Sequence, residues 1–170
     1  MLQTSDVTSV KPQTDERRER YLAAFRWMLL ARVFEEKLAS LYRGGKVIGG
    51  VFLSKGQEAL SAALGVALRK GDIYAPLIRD SAGRFAFGES LLDAARTCIG
   101  SRLGPMRGRE GNIHRGKPRE GYYAMISHLG VMVSTVAGGL VARRFTGVRD
   151  VVGATCIGDG GPRQEAFTRA

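Results

Sequence analysis

The segment Val151-Val152-Gly153-Ala154-Thr155-Cys156-Ile157-Gly158-Asp159-Gly160-Gly161 decides the fold class of this 170-residue chain. A short apolar, partly β-branched run ending in Gly-Asp-Gly has the pattern of a buried parallel strand whose carboxyl end meets a ligand. Glycines there let the backbone approach an anion, and the carboxylate between them can hold a hard divalent cation that bridges to phosphate oxygens. An ordinary tight turn with a solvated aspartate has the same three residues.

The rest of the chain alternates helical patterns with short apolar runs. From Asp15 to about Tyr42, Tyr21, Leu22, Phe25, Met28, Leu29, Val33 and Leu38 recur at three- and four-residue spacing, which predicts a helix capped by Asp15 and ended by Gly44-Gly45. A small-residue helix is expected over Gly56 to Arg69, with Ala59, Ala63, Leu64 and Ala67 on one side. Ile73 to Ile78 reads as a strand interrupted by Pro76 and leading into a loop at Arg79-Asp80. Further helices are expected over Ser90 to Ile99 and over Val131 to Phe145, the second a buried one ending at Arg143-Arg144, where cations suit the helix dipole. Such alternation defines an α/β layer fold, with ligands beyond the carboxyl ends of the strands.

Composition narrows the classes. With 44% hydrophobic residues the chain can bury one real core, which excludes fibrous and disordered classes. Met1 to Thr14 reads as a disordered tail, and neither a secretory signal nor a membrane span is visible, so the cytoplasm is the expected location. Cys98 and Cys156 lack the spacing of a disulfide framework or zinc site.

The formal charge of +10 invites a nucleic-acid partner. The densest basic cluster, Arg102 to Arg119, is a Gly-rich loop without the aromatics of a base-stacking platform. Nucleic acid is therefore not the expected partner, and this loop can instead meet an anionic cofactor, an acidic protein or solvent. It carries His114, which suits proton transfer but also occurs as a plain loop residue.

Five motifs occur in a telling order: Leu30-Ala31-Arg32-Val33-Phe34-Glu35-Glu36-Lys37, Gly56-Gln57-Glu58-Ala59, Ile78-Arg79-Asp80, Gly111-Asn112-Ile113-His114 and Gly158-Asp159-Gly160. Together, from about Arg17 to Gly161, they resemble the alpha subunit of the thiamine diphosphate-dependent decarboxylating component of 2-oxo acid dehydrogenase complexes.

The resemblance implies a thiamine diphosphate-binding α/β fold, a parallel sheet flanked by helices, of which residues 15–161 are the N-terminal part. It implies decarboxylation of a small 2-oxo acid on thiamine diphosphate with Mg2+, and acyl transfer to lipoamide. A beta subunit and a lipoyl-bearing acyltransferase are the implied partners. Residue by residue, Asp159 matches the magnesium ligand, and Gly160 and Gly161 match the backbone beside the phosphates. Arg79 matches a diphosphate-binding arginine, with a surface pair to Asp80 as its alternative. Ser127 and Leu129 match positions that touch the aminopyrimidine ring, and His114 is the candidate proton handler.

Two positions depart from the family. Ile78 stands where a tyrosine is usual, and Gly50-Val51-Phe52-Leu53-Ser54 lacks the histidine that some members carry. The family's cofactor motif continues beyond Gly-Asp-Gly to an Asn-Asn pair that completes the magnesium site, and this sequence stops before it. Residues 162–170 also depart from the family's continuation, and a shifted reading of permitted codons restores a Ser-Thr-Gly pattern, so this tail is read as frameshifted. The competing expectations are an acetoin-type thiamine enzyme, a basic nucleic-acid-binding module, and an inactive fragment with an exposed edge strand.

Overall fold

The computed structural model describes residues 13–47, 49–110 and 114–161. The expected tail over residues 1–14 lies outside them except for its last two residues, as do Gly111-Asn112-Ile113 and residues 162–170, where a frameshifted tail was expected.

A long helix, α1 (Gln13–Arg43), is followed by α2 (Glu58–Ala67), β1 (Ile73–Ala75), α3 (Ser81–Phe87), α4 (Leu91–Cys98), a single 3-10 turn at Pro118–Glu120, α5 (Val131–Phe145) and β2 (Gly153–Thr155). The two strands run parallel, with Ile73, Tyr74 and Ala75 opposite Gly153, Ala154 and Thr155. On the other edge of β1, Gly121 to Tyr123 adds a short ladder: Tyr74 N–H donates to Gly121 O at 2.8 Å and Tyr123 N–H to Tyr74 O at 2.8 Å.

Both faces of β1 are covered, as an apolar parallel strand requires. Ile73 and Ala75 pack with Met132 and Val136 of α5, while Tyr74 points the opposite way and meets the Phe87 ring edge-on at 5.5 Å. Pro76 is buried directly after the strand and cannot donate to a ladder, so β1 ends three residues short of Ile78. The expected strand at 151–157 likewise contracts to Gly153–Thr155.

The second layer corrects the expected face of α1. Its inward line has Ala31 fully buried, with Ala24, Trp27, Met28, Leu30 and Phe34 partly buried, against Ala62, Ala82, Phe85 and Ala94 of the next three helices. Of the expected stripe, Tyr21, Phe25, Leu29 and Val33 are each more than half exposed, whereas Met28 and Leu38 pack inward as expected. The helix begins at Gln13, so Asp15 sits inside its first turn instead of capping it. A reading weighted by residue size picks the bulkier stripe, whereas close packing of helices selects the stripe centred on Ala31. Correspondingly, α2 buries Ser61, Ala62 and Gly65, not the expected Ala59, Ala63, Leu64 and Ala67.

Contact between α2 and α3 is backbone to backbone. A Cβ added at Gly65 would stand 2.5 Å from Gly83 O, and one added at Gly83 would stand 2.5 Å from Ser61 O. Gly83 N–H also donates to Ser61 Oγ at 2.7 Å. In α5 only one face is buried, through Met132 and Val136, and Val141 and Phe145 are exposed, so the expectation of a buried helix holds for that face alone.

Two of the sequence motifs act as a clasp between α1 and the loop entering α2. Glu35, buried in mid-helix, accepts from both Ser54 N–H and Ser54 Oγ at 2.7 Å. Glu58 accepts from Arg32 Nε at 2.7 Å and from Gly56 N–H at 2.8 Å. Burial opposes its charge, but hydrogen bonds from its own backbone N–H, Arg32 and Gly56 hold its carboxyl below the usual range. A group with a depressed folded pKa stabilises above its unfolded value and loses that contribution as pH falls through the folded one. Glu58→Gln is therefore expected to cost about 1–3 kcal/mol at pH 7, with the difference from wild type shrinking by pH 3 in urea unfolding.

Among the described residues no helix is long and apolar enough to cross a membrane.

Candidate functional site

Parallel register brings two loops to one end of the sheet. Ala75 lies opposite Thr155, and the two loops carry Arg79 and Asp159, each four positions beyond its strand's last residue. Both side chains are exposed, and among the described residues neither makes a hydrogen bond or ion pair. The turn after β2 closes through Gly161 N–H to Gly158 O at 2.8 Å, and space around Gly158 is open.

Asp80 shapes the loop that presents Arg79. Its Oδ2 accepts from Leu77 N–H at 2.8 Å, and its own N–H donates to Leu77 O at 3.1 Å. The carboxylate is buried, so the surface pair with Arg79 does not form. Burial raises the Asp80 pKa, against hydrogen bonds from Leu77 and Cys156. Ile78 is half-buried beside Arg79.

The loop before α5 lies over the Gly158 turn. Leu129 Cδ1 is 3.6 Å from the position a Cβ would take on Gly160, and Gly130 N is 3.9 Å from that position on Gly161. Two residues earlier, Ser127 meets His114: Ser127 Oγ is 3.3 Å from His114 Nε2, and His114 Nδ1 is 2.8 Å from Met125 O. A carbonyl can only accept, so in the neutral ring Nδ1 carries the proton and Nε2 accepts from the serine. The structure thus joins His114 to Ser127, and Leu129 to Gly160. No hydrogen bond or ion pair links Arg79 or Asp159 to His114 among the described residues.

Sequence reading missed a polar cluster beneath this site. Tyr74 and Asp80 are buried close to Cys156, and Thr155 Oγ1 donates to Ala75 O at 2.7 Å across the strand pair. Burial and then the Asp80 charge, to which the thiol donates, push Cys156 up to about 12. Burial also raises Cys98. Both cysteines are free. Thiolate is the reactive form, so Ellman's reagent is expected to find no fast-reacting thiol in the native chain at pH 8. Rapid release by either cysteine would contradict that. The only sequence signal for the cluster was position, since Asp80 and Cys156 each follow an apolar run.

Among the described residues no group of three His, Cys, Asp or Glu side chains gathers as a metal site. Magnesium is commonly held by one or two carboxylates plus substrate phosphates and water, so a lone exposed Asp159 suits that mode.

Parallel strands covered by helices, with an exposed arginine and an exposed aspartate beyond adjacent carboxyl ends, neither of them paired among the described residues, define an α/β protein of the kind that binds ligands at its strand ends. The chain belongs to the dehydrogenase E1 component family, whose sequence pattern matches residues 26–170. It is 34% identical over 153 residues to pyruvate dehydrogenase E1 component subunit alpha of Rhizobium meliloti (strain 1021), covering 88% of this chain and 44% of that protein. It is 31% identical over 157 residues to the protein of the same name from Rickettsia prowazekii (strain Madrid E), covering 90% and 48%. Identity is 29% over 150 residues to the alpha subunit of acetoin:2,6-dichlorophenolindophenol oxidoreductase from Cupriavidus necator, covering 88% and 45%. The chain spans about half the length of these curated relatives.

Proposed function

We propose that this chain is the N-terminal part of the alpha subunit of a 2-oxo acid dehydrogenase, acting with thiamine diphosphate and Mg2+. The observation that carries this reading is the placement of Arg79 and Asp159, both exposed and without partners among the described residues, beyond adjacent ends of parallel strands. A guanidinium fork suits a diphosphate, and a carboxylate suits the metal that neutralises it. The residues present fit the cofactor's anionic half.

When bound, thiamine diphosphate supplies the electron sink for decarboxylation. This chain's part is to hold and position. Asp159 takes the metal, Arg79 and the backbone at Gly160 and Gly161 take the phosphates, and Asp80 keeps the Arg79 loop in shape. Leu129, with Ile78 in place of the usual tyrosine, supplies an apolar wall. His114 presents Nε2, the ring atom able to accept a proton, with the Ser127 hydroxyl on it. A beta subunit completes the enzyme, a lipoyl-bearing acyltransferase receives the acyl group, and the assembly works in the cytoplasm.

Pyruvate is the leading substrate because the relatives from Rhizobium and Rickettsia carry that name. The Cupriavidus relative supports acetoin as the second reading. The test is calorimetric titration of the chain, with whatever continuation its gene encodes beyond Gly161, with thiamine diphosphate in the presence and absence of Mg2+. Saturable binding that EDTA abolishes is expected. Failure of a chain carrying the Asn-Asn continuation to bind would overturn the proposal. Turnover of pyruvate against acetoin, in complex with the beta subunit, separates the substrates.

A further inference from the structure

At the amino ends of the same strands lies a cavity of about 650 Å3. The turn Leu68 to Gly71 precedes β1, and with the α3–α4 turn, residues 115–122 and the end of α5 it forms the walls. That volume is in the range of small-molecule sites. Its position opposite Arg79 and Asp159 separates it from the site proposed above.

The charges around it do not balance. Glu89, the most buried carboxylate in the wall, is already engaged by Arg115 Nη2 at 3.1 Å, by Tyr122 OH at 3.3 Å and by Arg84 Nε at 3.5 Å. Asp93 and Glu120 both lie 3.9 Å from Lys117 Nζ. Arg69 is paired with Asp150 at 2.9 Å. Lys70, Arg119 and Arg143 line the same space and have no carboxylate partner among the described residues. Three cations lining one hollow without carboxylate partners make it net positive, which favours an anion. Guanidinium forks match phosphate oxygens, and Leu68 and Phe87 add an apolar wall.

We propose that this cavity binds a small polyphosphate-bearing anion, through Lys70, Arg119 and Arg143. The hollow also accounts for part of the basic loop noted in the sequence: Arg115 is buried against Glu89, whereas Lys117 and Arg119 face the cavity. The shared ligand chemistry is the polyphosphate, free or attached to a nucleoside.

The test is calorimetric titration of the 170-residue chain at low salt with inorganic tripolyphosphate and, separately, with ATP. Saturable binding is expected to persist in an Arg79→Gln background, which removes the phosphate-binding arginine at the other end of the strands, and to weaken about tenfold or more on adding Arg119→Gln with Arg143→Gln. ATP binding more tightly than tripolyphosphate supports a nucleotide, with its base on the Phe87 wall; equal affinities support the inorganic anion. Absence of saturable binding overturns the proposal. So does loss on Arg79→Gln with the double variant unaffected, which would locate the anion at the other end of the strands. Among the described residues neither Arg119 nor Arg143 is ion-paired, and circular dichroism of the double variant checks that the fold is kept.

Discussion

Replacing Asp159 by asparagine is expected to lower Mg2+-dependent affinity for thiamine diphosphate roughly tenfold to a hundredfold, the equivalent of losing about 1.5–3 kcal/mol from one charged contact. Asparagine keeps the shape of the Gly158 turn and its Gly161 to Gly158 hydrogen bond, because the Asp159 side chain supports neither. What it removes is the negative charge facing the metal. Without Mg2+ the effect should reverse, the asparagine variant binding at least as well as wild type, since a carboxylate beside a diphosphate only repels it. Calorimetry with and without the metal reads both arms. An unchanged affinity in the presence of Mg2+ would move the metal site away from Asp159. Arg79→Lys probes the adjacent strand end, where the planar fork is lost and the charge kept.

The second large effect is on stability. Gly83→Ala is expected to destabilise the chain by about 3 kcal/mol, a considerable fraction of the ~5–15 kcal/mol that holds a typical domain folded. The new methyl would stand 2.5 Å from Ser61 O, 2.5 Å from Tyr74 OH and 2.7 Å from Ser61 Oγ. One of these atoms is backbone and the other two end fully buried side chains, so α3 must move off α2. That movement also stretches the bond from Gly83 N–H to Ser61 Oγ. Urea unfolding gives the magnitude, and a loss below about 0.5 kcal/mol would mean that the two helices are not in backbone contact. Tyr74 OH is buried here without a hydrogen bond of good geometry, so it has little room to give.

Much of the element order was legible because local signals coincided with tertiary ones. α5 occupies the expected Val131–Phe145, ending at its basic pair. α4 has Ser90 as its cap, with Ser90 Oγ accepting from Asp93 N–H at 3.4 Å. Pro76 marked the end of β1 because a residue without an N–H interrupts any ladder. By contrast, α3 was not expected. Ser81-Ala82-Gly83-Arg84 has no apolar period, and these residues are buried by contact with α2 and by Arg84 turning inward to Ser81 Oγ and Glu89. Periodicity reports a helix that buries large apolar groups, and this one buries small ones and an ion pair.

Of the site, the sequence by itself determined the chemistry: which carboxylate, which arginine and which histidine were available, and that glycines flanked the aspartate. Motif order was enough to point to the family, because an ordered set of short patterns is far more specific than any one of them. Tertiary structure alone decided who meets whom. Parallel register brings Arg79 and Asp159 to neighbouring strand ends, turns Asp80 inward and lays Ser127 on His114. It also shows that Arg32, Glu35 and Glu58 belong to a clasp that holds α1 to the loop before α2. These outcomes depend on contacts between residues up to 81 positions apart, such as Arg69 with Asp150. No local pattern carries such information, because burial and the pairing of charges exist only once the chain has closed on itself.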